Sequence, residues 1–280
     1  MNSLPRIYRF AFAAAFLASA CVAPAQQSFY DRLRANNASM TEVQPTWIGP
    51  LIQSDARLGQ AVRFSVSNSK CPGAHTISYG NGHGFSVIVD RRFQIDFDAP
   101  AFFRNHSAQY KDGFGNAATQ VKWRIASGNA EHGNYVLSAM LYHGFAQGAN
   151  QNGMLSSTWI PALAAGHAFR RFAVISDLGG VLPTEKISAQ GRAIQWSTTA
   201  QLHAFRHIFF DVENNATFNV GGPFGGRTQN FLTPAAFYQV RRRDWAPQHA
   251  TVVFDCGMQV ATTRFHQSNH NLVTEMRVFF

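Results

Sequence analysis

The chain has 280 residues and a formal charge of +9, with 14 % charged and 13 % aromatic side chains. This length fits one domain or one barrel, and a charged fraction so far below the ~25 % of soluble domains argues against a cytosolic protein. The basic residues are scattered, without a basic helical stripe or a recognition motif, so no nucleic-acid partner is expected.

Residues 1–25 have the features of a secretory signal peptide. Arg6 and Arg9 precede a short apolar run, and Ala23-Pro24-Ala25 forms a small-x-small cleavage site. The apolar run is too short to span a bilayer as a helix, and no other stretch approaches the ~18 apolar residues that a spanning helix needs. The sequence therefore predicts an exported protein.

The three cysteines give no disulfide framework. Residues 17–21 loosely resemble a lipoprotein signal, in which Cys21 would be acylated. If Cys21 leaves with the signal peptide instead, Cys71 and Cys256 remain, far apart in sequence. Two such residues can stay unpaired or form one bridge, and the sequence does not decide between these outcomes.

Residues 26–60 are polar and irregular, with Pro45, Gly49 and Pro50 around Trp47 and Ile48, and we interpret them as a leader, a plug or a short helix. From residue 61 onward, apolar and polar residues alternate with period two, which indicates strands. The predicted strands are 61–68, 84–90, 93–98, 117–126, 134–145, 156–164, 169–181, 191–203, 208–219, 230–241, 250–265 and 271–280.

An even number of strands, with longer connections after most odd-numbered strands, is typical of bacterial outer-membrane barrels. The expected fold is therefore an all-β, antiparallel, up-and-down transmembrane barrel over residues 61–280, in the outer membrane of a Gram-negative-type bacterium. The turns after strands four and ten break the loop pattern. Pro161 and Pro234 weaken the prediction of two strands, because proline cannot donate to a sheet ladder.

The last nine residues read as a strand that closes the barrel, since every backbone group must be paired within a bilayer. Leu272, Met276, Val278 and Phe280 would face lipid. The ending also resembles the terminal signal by which outer-membrane barrels engage their assembly machinery, here through Phe280. The alternative is a secreted soluble β-sandwich that binds a ligand and ends on a core strand.

If the apolar faces point to lipid, the opposite faces line a lumen with charges of both signs. These charges would either form ion pairs that stiffen the wall or line a path for a small solute, of which an aromatic one is the narrower expectation. The sequence leaves both readings open, and it indicates no cofactor or metal site. The predicted lining residues are Asp96, Lys122, Arg124, Asp211, Glu213, Asp255, Glu275 and Arg277.

An enzymatic alternative rests on His266-Gln267-Ser268-Asn269. This stretch resembles the His-x-Ser-Asn motif of outer-membrane phospholipases and lipid A deacylases, which implies that His266 would activate Ser268. Period two would place both side chains on one strand face, within hydrogen-bond reach. The match is short, and no convincing carboxylate or amide is available to orient His266, so a polar loop is favoured.

Two stretches resemble one family. The sequence "GFGNAATQVKWRI" is similar to the strand entry of outer-membrane barrels named for the MetA pathway of phenol degradation, and "GGVLPTEK" is similar to their Leu-Pro-Thr-Gly loop. Asn116, Trp123 and Glu185 depart from the family pattern. The resemblance implies an outer-membrane, transporter-like barrel, and it supplies no catalytic residues.

Overall fold

The computed structural model describes residues 29–71, 74–107, 110–146, 152–241 and 251–280. Residues 33–280 form one compact unit, and the predicted signal peptide lies outside the described residues. The helices are α1 (Phe29–Thr41), α2 (Ile187–Gln190) and a 3-10 turn (Gly222–Phe224). Neither α-helix described is both long and apolar enough to cross a bilayer.

Fifteen strand segments follow one another within the described ranges. They are β1 (Ala61–Cys71), β2 (Ala74–Tyr79), β3 (Gly84–Asp90), β4 (Phe93–Asp98), β5 (Phe102–His106), β6 (Gly113–Phe114), β7 (Ala117–Gly128), β8 (Tyr135–Phe145), β9 (Thr158–Phe169), β10 (Phe172–Pro183), β11 (Ala193–Phe205), β12 (Ile208–Asn219), β13 (Thr228–Arg241), β14 (Thr251–Ala261) and β15 (His270–Phe279).

The segments form one antiparallel sheet that closes on itself. The last strand, β15, pairs with β1 from Ala61↔Phe279 to Lys70↔His270, and every other neighbour along the wall is also antiparallel. Closure leaves the sheet with no edge strand in the wall. The fold is therefore the predicted barrel, and the β-sandwich alternative is wrong.

Three pairs of segments act as single, interrupted wall strands, so the fifteen segments make the twelve strands that were predicted. The first pair is β2 with β3, since both pair with β1. The second is β4 with β5, because β5 pairs with β2 beyond the end of β4. The third is β6 with β7, where β6 pairs with β5 and leads into β7. Between β2 and β3 the chain bulges through Gly80 and Gly82, whose φ angles of 81° and 84° suit glycine. Such interruptions break the alternation, which is why β2, β5 and β6 fell within predicted loops.

Both strands with an internal proline are formed, because the ladder is irregular where the missing N–H would have bonded. The β9–β10 register passes from Gly179↔Ala162 to Leu182↔Trp159, which skips Pro161. The β13–β14 register skips Pro234 in the same way, between Leu232↔Val260 and Ala235↔Gly257. With Pro161 inside it, β9 runs from Thr158 to Phe169, beyond the predicted end at residue 164.

The outer face of the wall is apolar, and the inner face is not. In β7, Val121 and Trp123 are 41 % and 42 % exposed, while Lys122 and Arg124 between them are 4 % and 7 % exposed. The same contrast recurs around the barrel, with Leu163 and Phe172 more than half exposed. A continuous exposed apolar surface of this kind indicates a surface made to contact another apolar phase.

Candidate functional site in the barrel interior

Residues 42–60, here called the inner segment, lie inside the barrel. Trp47 is buried against the inner wall in a cluster with Val136, Met140 and Ile175. A second cluster packs Ile48 and Leu51 of the inner segment against wall residues. The interior of the barrel is therefore filled by the inner segment, whose apolar side chains pack against buried apolar residues of the wall.

Uncharged wall side chains bind the backbone of the inner segment. Gln201 bonds both the N–H and the carbonyl of Ile48, at 2.9 Å each. The Gln94 side-chain oxygen accepts from the Gly59 N–H at 2.7 Å, and the Ser138 hydroxyl donates to the Ala56 carbonyl at 2.6 Å. These bonds supply partners to a backbone that has no secondary structure of its own.

Glu213 makes the densest contact. Its two carboxyl oxygens accept from three successive N–H groups, those of Leu51, Ile52 and Gln53. The Glu213 residue is fully buried. A buried carboxyl group needs hydrogen-bond donors. The backbone N–H groups of the inner segment supply them, and the Glu213 carboxyl in turn supplies acceptors to these N–H groups.

Two cations on the wall also hold the inner segment. Lys122 Nζ donates to the carbonyls of Asp55 and Arg57, at 2.6 Å and 3.1 Å. Arg277 Nη1 donates to the carbonyls of Gly49 and Pro50, at 2.8 Å and 3.1 Å. Arg277 also forms a salt bridge with a neighbouring carboxylate on β14, Asp255.

The predicted lining residues therefore fall into groups. Lys122, Glu213 and Arg277 contact the inner segment directly, as described above. Asp255 and Glu275 flank Arg277, the latter with 3.8 Å between Oε1 and Nε. The other three have different surroundings. Asp96 accepts from Gln94 at 2.6 Å, and Arg124 lies near the turn at residues 91–92. Both Asp211 oxygens are buried close to Glu213 and Arg277, without a hydrogen-bond partner among the described residues.

Sequence reasoning missed the amides that bind the inner segment. Gln94 and Gln201 alternate with outward apolar residues and so belonged to the polar face, but charge alone was used to choose candidates. It also missed the pair within the inner segment, in which Arg57 contacts both oxygens of Asp55, with Nη2 to Oδ2 at 2.6 Å. Trp47 Nε1 donates to the same carboxylate at 3.1 Å.

The charge state of Asp55 depends on this pair. Burial disfavours the ionised Asp55 carboxyl, but the Arg57 charge and its hydrogen bonds, together with Lys122, outweigh burial. The pKa of Asp55 therefore lies below its usual value of 3.8. The carboxylate remains ionised at neutral pH and can hold both Arg57 and the Trp47 indole.

His266 and Ser268 lie in a loop and not on a strand. The strand β14 ends at Ala261, four residues before its predicted end, so the alternation that would have aligned the two side chains does not apply. His266 Nδ1 bonds the Thr263 carbonyl at 2.9 Å, and in the described chain no hydrogen bond joins His266 to Ser268. No observation favours the hydrolase alternative.

Cys256 has a free thiol and is exposed. Its position in β14, between Asp255 and Gly257 on the inner face, places it on the outer surface of the wall. The side chain of Cys71 lies outside the described part of the structure. Of the two outcomes that the sequence left open, the unpaired one therefore describes Cys256.

The chain matches no protein-family model and no curated protein sequence. It is similar in structure to the NanC porin, with a TM-score of 0.50, 7 % identity, and 79 % of this chain and 98 % of that chain covered. It is also similar to an outer membrane channel from Pseudomonas putida F1, with a TM-score of 0.48, 12 % identity, and 84 % and 100 % covered. At such low identity, the likeness to the porin concerns the fold alone.

Proposed function

We propose that this protein is an outer-membrane channel that passes or binds a small solute. The observation that carries the proposal is the closed barrel with an apolar outer face and a polar, charged inner wall. Such a wall pairs all its backbone groups while its outer side chains contact lipid. The partners proposed from the sequence, outer-membrane lipid and an assembly machinery that recognises Phe280, belong to the same proposal.

The inner segment acts, in this proposal, as a plug. It occupies the lumen, and its backbone N–H groups donate hydrogen bonds to Gln94, Gln201 and Glu213 of the wall. Bonds to backbone groups hold the segment in place without depending on its side chains. Passage of a solute would require the segment to shift, so the wild-type channel is expected to be closed most of the time.

An aromatic solute is the narrower form of the proposal, together with membership of the family named for phenol degradation. A cavity of about 430 Å³ near the turn at residues 170–171 supports it, because its lining includes Trp47, His203 and Phe209. The rings of His203 and Phe209 stack with centroids 4.1 Å apart. Flat aromatic surfaces of this kind suit the binding of an aromatic ring.

Cell fractionation and gel mobility test the proposal. We expect the protein in the outer-membrane fraction, and we expect the unheated sample to migrate faster on a denaturing gel than the heated one, since a closed barrel resists detergent. Purified protein in a planar bilayer should then give brief, small conductance steps. A soluble protein without a heat shift would contradict the proposal, as would a membrane-inserted protein that neither conducts nor binds a solute.

A further inference from the structure

The barrel has a cavity of about 580 Å³ at its entrance beside the turn between β3 and β4. Its lining includes three arginines, Arg91, Arg92 and Arg124, of which the first two are exposed and the third is buried. The cavity lies between the wall and the start of the inner segment, where the Ser127 hydroxyl donates to the Val43 carbonyl at 2.7 Å. A solute that enters from this end would meet the cavity before the inner segment.

Arg124 is the unusual member of this group. It is only 7 % exposed, and its Nη2 donates to the Arg91 carbonyl at 2.7 Å. Its Nη1 is buried and has no hydrogen-bond partner among the described residues. A buried guanidinium nitrogen without an acceptor is costly, so an acceptor atom from a bound molecule would remove that cost.

A β-bulge directly after Arg124 places Ile125 beside it. The register between β7 and β8 shifts between Arg124 and Ala126, which leaves Ile125 as the extra residue. The alternation predicted Ile125 on the outer face with Trp123, but the bulge places it in the cavity lining. Bulges redirect side chains in this way and are frequent near binding sites.

The charge and the shape of the cavity both restrict what can bind. Glu42 is the acidic residue in the lining, against three arginines, so the described lining carries a net positive charge. Met40, Val43 and Ile125 give it an apolar side. Guanidinium groups bind carboxylate and phosphate oxygens with paired hydrogen bonds, and the apolar side would contact a hydrocarbon body.

We propose that this entrance cavity is a binding site for a small organic anion, with its carboxylate or phosphate group on Arg124 and its apolar body against Met40 and Ile125. This rests on the proposed channel function, because it names the class of solute that the channel would take. The site is defined by the cavity, by Ile125 at the bulge and by the unpartnered nitrogen of Arg124, and it is separate from the aromatic cavity described above.

Calorimetric titration of the detergent-solubilised, folded protein with benzoate tests the site. Benzyl alcohol serves as a neutral probe with the same ring, and acetate as a carboxylate without it. We expect benzoate to bind more tightly than either. Arg124→Gln should weaken benzoate binding by about tenfold or more, since it removes a charged hydrogen-bond donor, whereas Arg206→Gln, in an exposed short turn elsewhere, should not.

Three results would overturn the site: equal binding of benzoate and benzyl alcohol, equal binding of benzoate and acetate, or equal loss in the two variants. A heat-shifted fast gel band for Arg124→Gln excludes misfolding as the cause of any loss. Bilayer recordings separate this inference from the channel proposal. Conductance without benzoate binding would refute the site and leave the channel proposal standing. Specific benzoate binding without conductance or solute passage would support the site and contradict a role as a channel.

Discussion

Asp55 and Arg57 form a charged pair within the inner segment, close to Trp47 and to the wall residue Lys122. Neither residue stood out in the sequence, because their partners come from the fold. In this pair, as at Lys122 and Arg277, a charge is placed against a backbone carbonyl, an opposite charge or an aromatic ring. The contribution of this pair to the stability of the folded protein can be measured as a function of pH.

We expect the barrel to lose stability in acid through Asp55. Because the folded pKa of Asp55 is below the unfolded value of 3.8, the ionised carboxyl stabilises the folded state above that value, and this contribution is lost as pH falls through the lowered pKa. The measurement is the temperature at which the fast-migrating gel form disappears after incubation at pH values from about 1 to 7.

Asp55→Asn should lower this temperature at neutral pH and reduce its fall in acid. Glu131→Gln, which removes one carboxylate from an exposed turn, is the matched control and should behave like the wild type. The expectation would be wrong if Asp55→Asn showed the full wild-type fall between neutral and acidic pH.

At the scale of elements, the inner segment depends on the wall for its conformation. Residues 42–60 contain no described helix or strand, so their backbone groups must find partners elsewhere. Glu213, Gln201 and Lys122 provide several of these partners from three different wall strands. The segment is therefore ordered by the barrel and should be released locally when a single strong anchor is weakened.

Glu213→Gln should loosen the inner segment. Glutamine offers one acceptor oxygen instead of two, and its amide N–H groups would face the backbone N–H groups of residues 51–53. At least one buried backbone donor therefore loses its hydrogen bond, at a cost of about 1–3 kcal/mol. We expect longer and more frequent open events in bilayer recordings. Trypsin cleavage after Arg57, which is part-buried, should become faster.

Glu185→Gln is the control for this change, because Glu185 is exposed in a connection outside the wall strands. It should leave both conductance and cleavage unchanged. If Glu213→Gln leaves both unchanged as well, the carboxyl group does not anchor the segment, and the role of plug would have to rest on the apolar contacts of Trp47 and Leu51.

At the scale of the whole molecule, the outer surface decides the environment of the barrel. A band of exposed apolar side chains around a closed sheet is stable in lipid and poorly soluble in water. Position along the strand should therefore determine the effect of a charge. Leu163 lies in the middle of β9, whereas Val220 lies just beyond the end of β12.

Leu163→Arg should destabilise the protein in lipid vesicles by about 2–4 kcal/mol, and Val220→Arg by at most about 1 kcal/mol, since the cost of a lipid-facing charge depends on depth. Both residues are exposed, at 56 % and 65 %, so a water-soluble barrel would show small effects at both. Denaturant midpoints of the vesicle-bound protein, followed by tryptophan fluorescence, measure the difference. Equal, small shifts would contradict a lipid-facing wall.

The sequence by itself determined the wall strands and their two faces. Period two is a local property, since neighbouring side chains on a strand point to opposite sides, and Val121, Lys122 and Trp123 already carry it. The count of twelve strands followed from this alternation. Where the pattern is interrupted, at the bulge after Arg124 and at Gly80, the prediction failed, because a bulge shifts the alternation without leaving a clear signature in the sequence.

Only the tertiary structure decided what the inner faces meet. The sequence identified Glu213 and Arg277 as inward charges, but not that residues 42–60 would bind them, since that contact joins positions more than 150 residues apart. Nor could it show that Arg124 gathers with Arg91 and Arg92 around a cavity. Strand periodicity follows from local geometry, whereas the filling of a lumen depends on closure of the whole sheet, which brings distant residues together.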